Sequence, residues 1–291
     1  MLDLKLIRED PGAVKAAIAK KNDKSDIDAV LAVDSRRREI IQQTEALKAE
    51  RNRVTGEIAQ KKRAKEPADD LIEEMRLVGE QIAQLDNDLR EVEADLQKRL
   101  SWIPNLPHDS VPPGGEADMK IVRHWGETAK KDFTVLPHWE IGEKLGILDI
   151  PAATKVSGAG FYVLRGMGAR LQRALVAYML DTHAASGFVE HAAPFIVTEE
   201  TMFGTGQLPK MAEDMYKTDD NMWLIPTAEV SLTNLFKQDI LSFQQLPVYV
   251  VGHSPCFRRE AGAAGKDTRG MIRVHQFEKV EMVKIVRPET S

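Results

Sequence analysis

Thiol is nearly absent from this chain: Cys256 is its one cysteine. That excludes an internal disulfide framework and a cysteine-built metal cluster, and it fits a reducing compartment. The opening MLDLKLIREDPG carries acids and has no apolar h-region, so a signal or transit peptide is not expected. No apolar run approaches the roughly 20 residues of a membrane span. Basic charge is not in excess either, since 40 Lys and Arg face 45 Asp and Glu for a formal net charge of −5. A polyanionic partner would therefore have to meet a local basic patch. These absences predict a cytoplasmic protein with no membrane association. A length of 291 residues allows about two domains, and a 29% share of charged residues calls for a long exposed helix.

The first hundred residues supply that helix. Leu71, Met75, Val78, Ile82, Leu85, Leu89, Val92 and Leu96 follow strict 4-3-4-3 spacing, which is a heptad seam. A weaker seam precedes it in Val33, Arg37, Ile40, Thr44, Leu47, Arg51, Val54 and Ile58. Between the two lies KEPADD, where Pro67 breaks the helix. The pattern predicts an antiparallel coiled-coil hairpin, about 45 Å long or more at about 1.5 Å per residue. Its charge is lopsided: residues 35–66 hold ten basic against five acidic side chains, and residues 67–100 hold four against ten. Opposite charges can pair the helices across the seam. Alternatively the basic helix also grips phosphate, with Arg36, Arg37, Arg38, Lys48, Arg51, Arg53, Lys61, Lys62 and Arg63 as candidates.

The stretch SWIPNLPHDSVPPGGEAD is too rich in proline and glycine for a helix or a central strand. It divides the chain into a helical arm at 1–103, a linker at 104–118 and a second domain at 119–291. In that domain RGMGARLQRALVAYMLDTHAASG reads as a helix, with Gly187 suited to its end. FVEHAAPFIV reads as a short strand containing Pro194. Thr227 and Glu229 fall at a helix start, and PVYVVGHSPCFRRE and MIRVHQFEKVEMVKIV read as two strands around AGAAGKDTRG. The fold class is α+β, with an antiparallel sheet flanked by helices.

The hairpin is heavily charged. Alternate strand residues share a face, so Arg258 and Glu260 are expected to point together, as are Arg273, Phe277 and Glu281. Arginine forks suit phosphate, an aromatic ring can stack a base, and a carboxylate can hold an ammonium or an exocyclic amine. The set fits a nucleotide beside a small zwitterion. It also fits a surface hairpin with cross-strand ion pairs, Phe277 belonging to the core and His275 sharing that ambiguity.

FRRE, a loop and RGMIRVHQFEKVE resemble motif 2 of class II aminoacyl-tRNA synthetases, in the form seen in seryl-tRNA synthetases. The helix–strand unit ending near Pro194 resembles motif 1, TAE at Thr227, Ala228 and Glu229 resembles the serine-binding loop, and the hairpin resembles the tRNA-binding arm. The resemblance runs in order through essentially all 291 residues. It implies an ATP-dependent ligase that activates L-serine to seryl-adenylate and transfers the seryl group to tRNA(Ser), with tRNA(Sec) as a further acceptor. It further implies that Arg258 holds the α-phosphate, Glu260 the adenine amino group, Phe277 the adenine face and Arg273 the phosphates. Thr227, Ala228 and Glu229 would bind serine, with Glu229 on its ammonium and Glu281 on its hydroxyl. Mg²⁺ is expected with the ATP, and a homodimer is expected through the motif 1 helix at about 170–185 and its strand.

The family's motif 3, a later glycine-rich segment with an ATP-site arginine, has no counterpart before VRPETS. RGMGAR lies ahead of motif 1 and is no substitute, because a lone Gly-x-Gly is a weak signal. The chain therefore reads as the N-terminal two-thirds of such a synthetase, inactive by itself and with an exposed sheet edge. The competing expectation is a non-catalytic tRNA-binding or regulatory form.

Overall fold

The computed structural model describes residues 1–261 and 269–291; most of the loop AGAAGKDTRG, residues 262–268, lies outside the described residues. Two compact units are present, Met1–Glu127 and Thr128–Ser291.

The first unit is helical: α1 (Leu4–Glu9), α2 (Pro11–Ala19), α3 (Ile27–Ala64) and α4 (Asp69–Trp102). Aspartates start the first three. Asp3, Asp10 and Asp26 each accept a first-turn backbone N–H, and Pro11 fills a position whose own N–H has no helical partner. Helix α3 stops at Lys65, held left-handed at φ 59°, where the Glu66 N–H closes the end on Lys61 O at 2.9 Å. Pro67 blocks continuation. At 38 residues α3 is about 57 Å long.

Every residue of both heptad seams is buried or half-buried. Two ion pairs cross between the helices, Arg37–Glu93 at 2.9 Å and Lys48–Asp86 at 3.2 Å. Residue numbers rise on α3 as they fall on α4, so the hairpin is antiparallel. Its weaker seam has a polar defect: Thr44 is 4% exposed and its hydroxyl has no hydrogen-bond partner. At the base of the hairpin, Ile7, Val14, Ile18, Ile27, Val30, Leu96, Leu100 and Ile103 form one core. Beside it the Arg8 guanidinium forks onto Asp34 at 2.7 and 2.6 Å. This contact holds the Asp34 carboxyl below the usual carboxylate range.

The second unit runs α5 (His138–Lys144), β1 (Leu148–Asp149), α6 (Ile150–Ser157), β2 (Val163–Leu164), α7 (Met167–Ala185), β3 (Val189–Glu190), β4 (Ile196–Val197), α8 (Glu199–Gly204), β5 (Trp223–Leu224), α9 (Ala228–Asn234), β6 (Val248–Phe257) and β7 (Gln276–Ile285). The long antiparallel hairpin is present, with β6 and β7 pairing from Val248↔Ile285 to Phe257↔Gln276. Two expectations need correction. FVEHAAPFIV is not one strand: Pro194 lies between β3 and β4, which join different sheets. Nor is the sheet wholly antiparallel, because β3 lies parallel to β6.

Opposite residues of an antiparallel ladder share a face. The face of β6 holding Val248, Val250, Gly252, Ser254 and Cys256 is therefore also that of Phe277, Lys279, Glu281, Val283 and Ile285 on β7. Helix α9 packs there through Ala228 and Leu232 on Val250. Gly252 is required at this crossing: a Cβ would stand 2.7 Å from His191 O and 3.2 Å from Leu232 Cδ2. The close approach sets the N-terminus of α9 directly over Lys279 and Glu281.

Candidate functional site

A cavity of about 480 Å³ opens at that N-terminus, lined by Gln207, Met211, Asp214, Met215, Pro226, Thr227, Glu229, Arg258, Glu260, Arg273 and Lys279. Thr227 is its hub. As N-cap of α9 its hydroxyl accepts the Glu229 N–H at 3.2 Å. It also accepts from Lys279 Nζ at 3.0 Å and donates to Glu281 Oε2 at 2.7 Å. One donor and two lone pairs are a hydroxyl's whole capacity, so this side chain, 6% exposed, is saturated. Lys279 and Glu281 are themselves ion-paired. Ala228 is buried beneath the hub, and Glu229 is exposed.

The phosphate-type residues arrive differently from the strand reading. Strand β6 ends at Phe257, and the ladder continues for one further pair, Arg258 N–H to His275 O at 2.9 Å. Arg258 thereby stays on the α9 face, where its guanidinium lies over the Phe277 ring at 5.0 Å and its Nε reaches Pro226 O at 3.4 Å. Glu260 is not in a strand. Its φ is 51°, and this left-handed turn brings its carboxylate to Arg273 at 3.2 Å. Arg273 precedes β7, so it does not share a strand face with Phe277 and Glu281. Strand alternation was thus the wrong reason for two of these placements, Glu260 and Arg273, although Arg258, Glu260 and Arg273 do line one cavity. Phe277 lines a neighbouring cavity of about 320 Å³, with Phe161, Tyr162 and Gln172 among its walls. There burial, then the Glu278 carboxylate, pushes the Tyr162 hydroxyl up. His275 Nδ1 donates to Arg258 O at 3.0 Å and its ring abuts Phe161, which ties the hairpin base rather than lining the cavity.

Two contributors escaped the sequence reading. Lys279 stands between Phe277 and Glu281 on their alternation, so the period-2 signal was there to find. Asp214 gives no such signal. It ends a short 3₁₀ turn, Ala212–Asp214, and grips the outgoing limb through Arg259 N–H to its carbonyl and Ala261 N–H to its carboxylate, both at 2.8 Å.

In the first unit, the candidate basic residues divide by what they touch. Arg37 and Lys48 pair across the hairpin, while Arg36 and Arg53 pair along α3 with Glu39 and with Glu50 and Glu57. Arg38, Arg51, Lys61, Lys62 and Arg63 make no ion pair with the described residues. The last three are exposed in the final turn of α3.

The arginine- and carboxylate-lined cavity lies in a segment that defines a class: residues 212–291 match the family described as the tRNA synthetase class II core domain (G, H, P, S and T). Residues 1–107 match the seryl-tRNA synthetase N-terminal domain. Serine–tRNA ligase of Desulfitobacterium hafniense strain DCB-2 is 48% identical over 293 residues, covering 100% of this chain and 70% of that protein. The enzyme of Carboxydothermus hydrogenoformans is 49% identical over 294 residues and covers the chain fully, against 69% of its own length. Among solved structures, seryl-tRNA synthetase from Pyrococcus horikoshii complexed with ATP superposes with a TM-score of 0.90 at 35% identity, covering 100% of this chain and 71% of that one. A cytoplasmic serine–tRNA ligase from Naegleria fowleri in complex with AMP gives 0.82 at 26%, covering 99% and 71%. The chain belongs to the seryl-tRNA synthetase family, and it spans about 70% of the length of the relatives it matches.

Proposed function

We propose that this chain carries the serine-activating and tRNA-holding surfaces of its family. In the activation step a serine carboxylate oxygen bonds to the α-phosphorus of ATP, the bond to pyrophosphate breaks, and seryl-adenylate forms. A terminal ribose hydroxyl of tRNA(Ser) then attacks the seryl carbonyl, and AMP leaves. Such chemistry needs positioning and charge stabilisation more than a side-chain nucleophile. Arg258 is assigned to the α-phosphate, Arg273 to the outer phosphates, Glu260 to the adenine amine and Phe277 to its ring. Thr227, Ala228, Glu229 and Glu281 form the serine pocket. The observation that carries the reading is that Thr227 and Lys279 line one cavity with Arg258, Glu260 and Arg273, while Glu281 bonds to both Thr227 and Lys279. Glu281 is assigned to the serine hydroxyl, and alanine, which cannot make that bond, is expected to be rejected.

Mg²⁺ does not find a protein cage here: among the described residues no group of three or more His, Cys, Asp or Glu is placed to hold a metal. No step above depends on one. The unpaired cations of α3 are assigned to the long arm of the tRNA. Contacts to backbone phosphate follow shape rather than sequence, which extends the reading to tRNA(Sec). A homodimer through α7 is supported by its exposed apolar stripe of Met167, Leu171, Leu175 and Tyr178, spaced along one helix face.

The test is serine-dependent ATP–pyrophosphate exchange by the 291-residue chain, with alanine and threonine as controls. Exchange with serine alone supports catalysis by the chain itself. A folded chain that binds tRNA(Ser) without exchange supports the second reading, a tRNA-binding form, which the unpaired basic end of α3 favours.

A further inference from the structure

We infer that Asp214 is a positioning residue for base selection by the nucleotide cavity. The inference rests on the assignment of Glu260 to the adenine amine. Glu260 has φ 51°, a conformation that L-residues rarely adopt and that persists only where neighbours fix it. The backbone N–H groups on either side of it both end on Asp214: Arg259 N–H on the main-chain oxygen and Ala261 N–H on Oδ1, each at 2.8 Å. The turn is thus clamped at two points by one residue. Arg273 holds the Glu260 carboxylate at 3.2 Å but fixes nothing of its backbone. Without the Asp214 carboxylate, Ala261 N–H loses its partner, the left-handed turn relaxes, and the Glu260 carboxylate leaves the cavity wall.

Base selectivity reports this directly. A carboxylate accepts from the amine of adenine and repels the carbonyl oxygen that guanine carries at the same position. The experiment is calorimetric titration of the chain with ATP and with GTP, for wild type, Asp214→Leu, Asp214→Asn and Glu260→Ala. Circular dichroism melting accompanies each titration. Leu keeps the branched shape of Asp at a larger volume and removes the acceptor; Asn keeps the size and an acceptor oxygen and removes the charge. The expected result is an approximately tenfold loss of ATP affinity in Asp214→Leu, about 1.4 kcal/mol, with GTP affinity unchanged and Asn restoring the preference. Hydrogen exchange at the Ala261 amide of the nucleotide-free chain should rise in the Leu variant and not in the Asn variant.

If Glu260→Ala loses the ATP preference while a folded Asp214→Leu keeps it, the positioning role is overturned and the Glu260 assignment stands. If Glu260→Ala keeps the preference, or wild type has none, the Glu260 assignment fails and takes the inference with it. Should the Leu variant not fold, equal losses in Asn and Glu260→Ala would also overturn it, because Asn retains the acceptor.

Discussion

Replacing Thr227 by valine removes a hydroxyl and keeps the shape. Three interactions go with it: the α9 cap to Glu229 N–H, the bond from Lys279 and the bond to Glu281. Losing an N-cap costs about 1 kcal/mol. Hydrogen bonds to charged groups are worth about 1.5–3 kcal/mol each, but two facts reduce that here. Lys279 and Glu281 keep their ion pair, and their side chains are 34% and 17% exposed, so water partly replaces the hydroxyl. A total of about 2–3 kcal/mol follows, or roughly a 4–12 °C fall in melting temperature for a unit of this size. Thermal melting followed by circular dichroism measures it, with Thr227→Ser as the control that keeps the hydroxyl. A valine variant melting within about 1 °C of wild type would refute the hub, as would a serine variant falling as far as valine. On the proposed function, serine-dependent exchange should fall with the valine variant while its salt-dependent tRNA affinity is unchanged.

In the complete protein, Arg258→Ala should abolish serine activation and spare tRNA affinity. Neutralising Lys61, Lys62 and Arg63 should do the reverse, flattening the salt dependence of tRNA binding by about one log–log unit for each phosphate no longer neutralised; equal defects from the two sets would refute this division. Arg38, without an ion pair, should matter more to tRNA than Arg37, whose guanidinium Glu93 already engages. For the first unit, Asp34 binds its proton less readily when folded, so its contribution is complete above the ordinary carboxylate value near about 4 and is lost as pH falls through the depressed folded value. Asp34→Asn should cost about 1–2 kcal/mol at pH 7, modest because Arg8 is 36% exposed, and should flatten the acid limb of urea midpoints; an unchanged limb counts against the pair. Burial pushes the Cys256 thiol up, so Ellman's reagent at pH 8 should label the chain only after denaturation, and rapid labelling of the folded chain would contradict its burial.

How much of this was readable in the residues differs from element to element. The heptads gave the hairpin and its break because Leu71 through Leu96 obey a single spacing rule and Pro67 interrupts it. Thr227 was read at a helix start, and the structure supplies the local reason, its hydroxyl capping α9. The charged hairpin was legible as two strands, yet the turn at Glu260 was not. Its left-handed backbone is imposed by Asp214, 46 positions earlier in the chain, and no period within the hairpin encodes a contact made from outside it. Pro194 marked a strand boundary that was read as a strand interior, because β-prone apolar residues, Phe188 and Val189 before it and Phe195, Ile196 and Val197 after it, lie on both sides. Lys279 was overlooked for chemical rather than geometric reasons, since a lysine between two named residues looks like a solvated neighbour until its bond to Thr227 is seen.

The unequal charge of the hairpin has a directional effect. With positive charge concentrated along α3 and negative along α4, and helix axes about 8–10 Å apart, the arm is a transverse dipole of almost no net charge. A polyanion exerts little net pull on such a body but a definite torque, turning the α3 flank inward and the α4 flank away. Screening confines that torque to the last ~8 Å of approach at physiological salt. The arm would therefore not gather nucleic acid from a distance; it would choose which side of itself makes contact, and a ligand arriving on the wrong flank would be repelled.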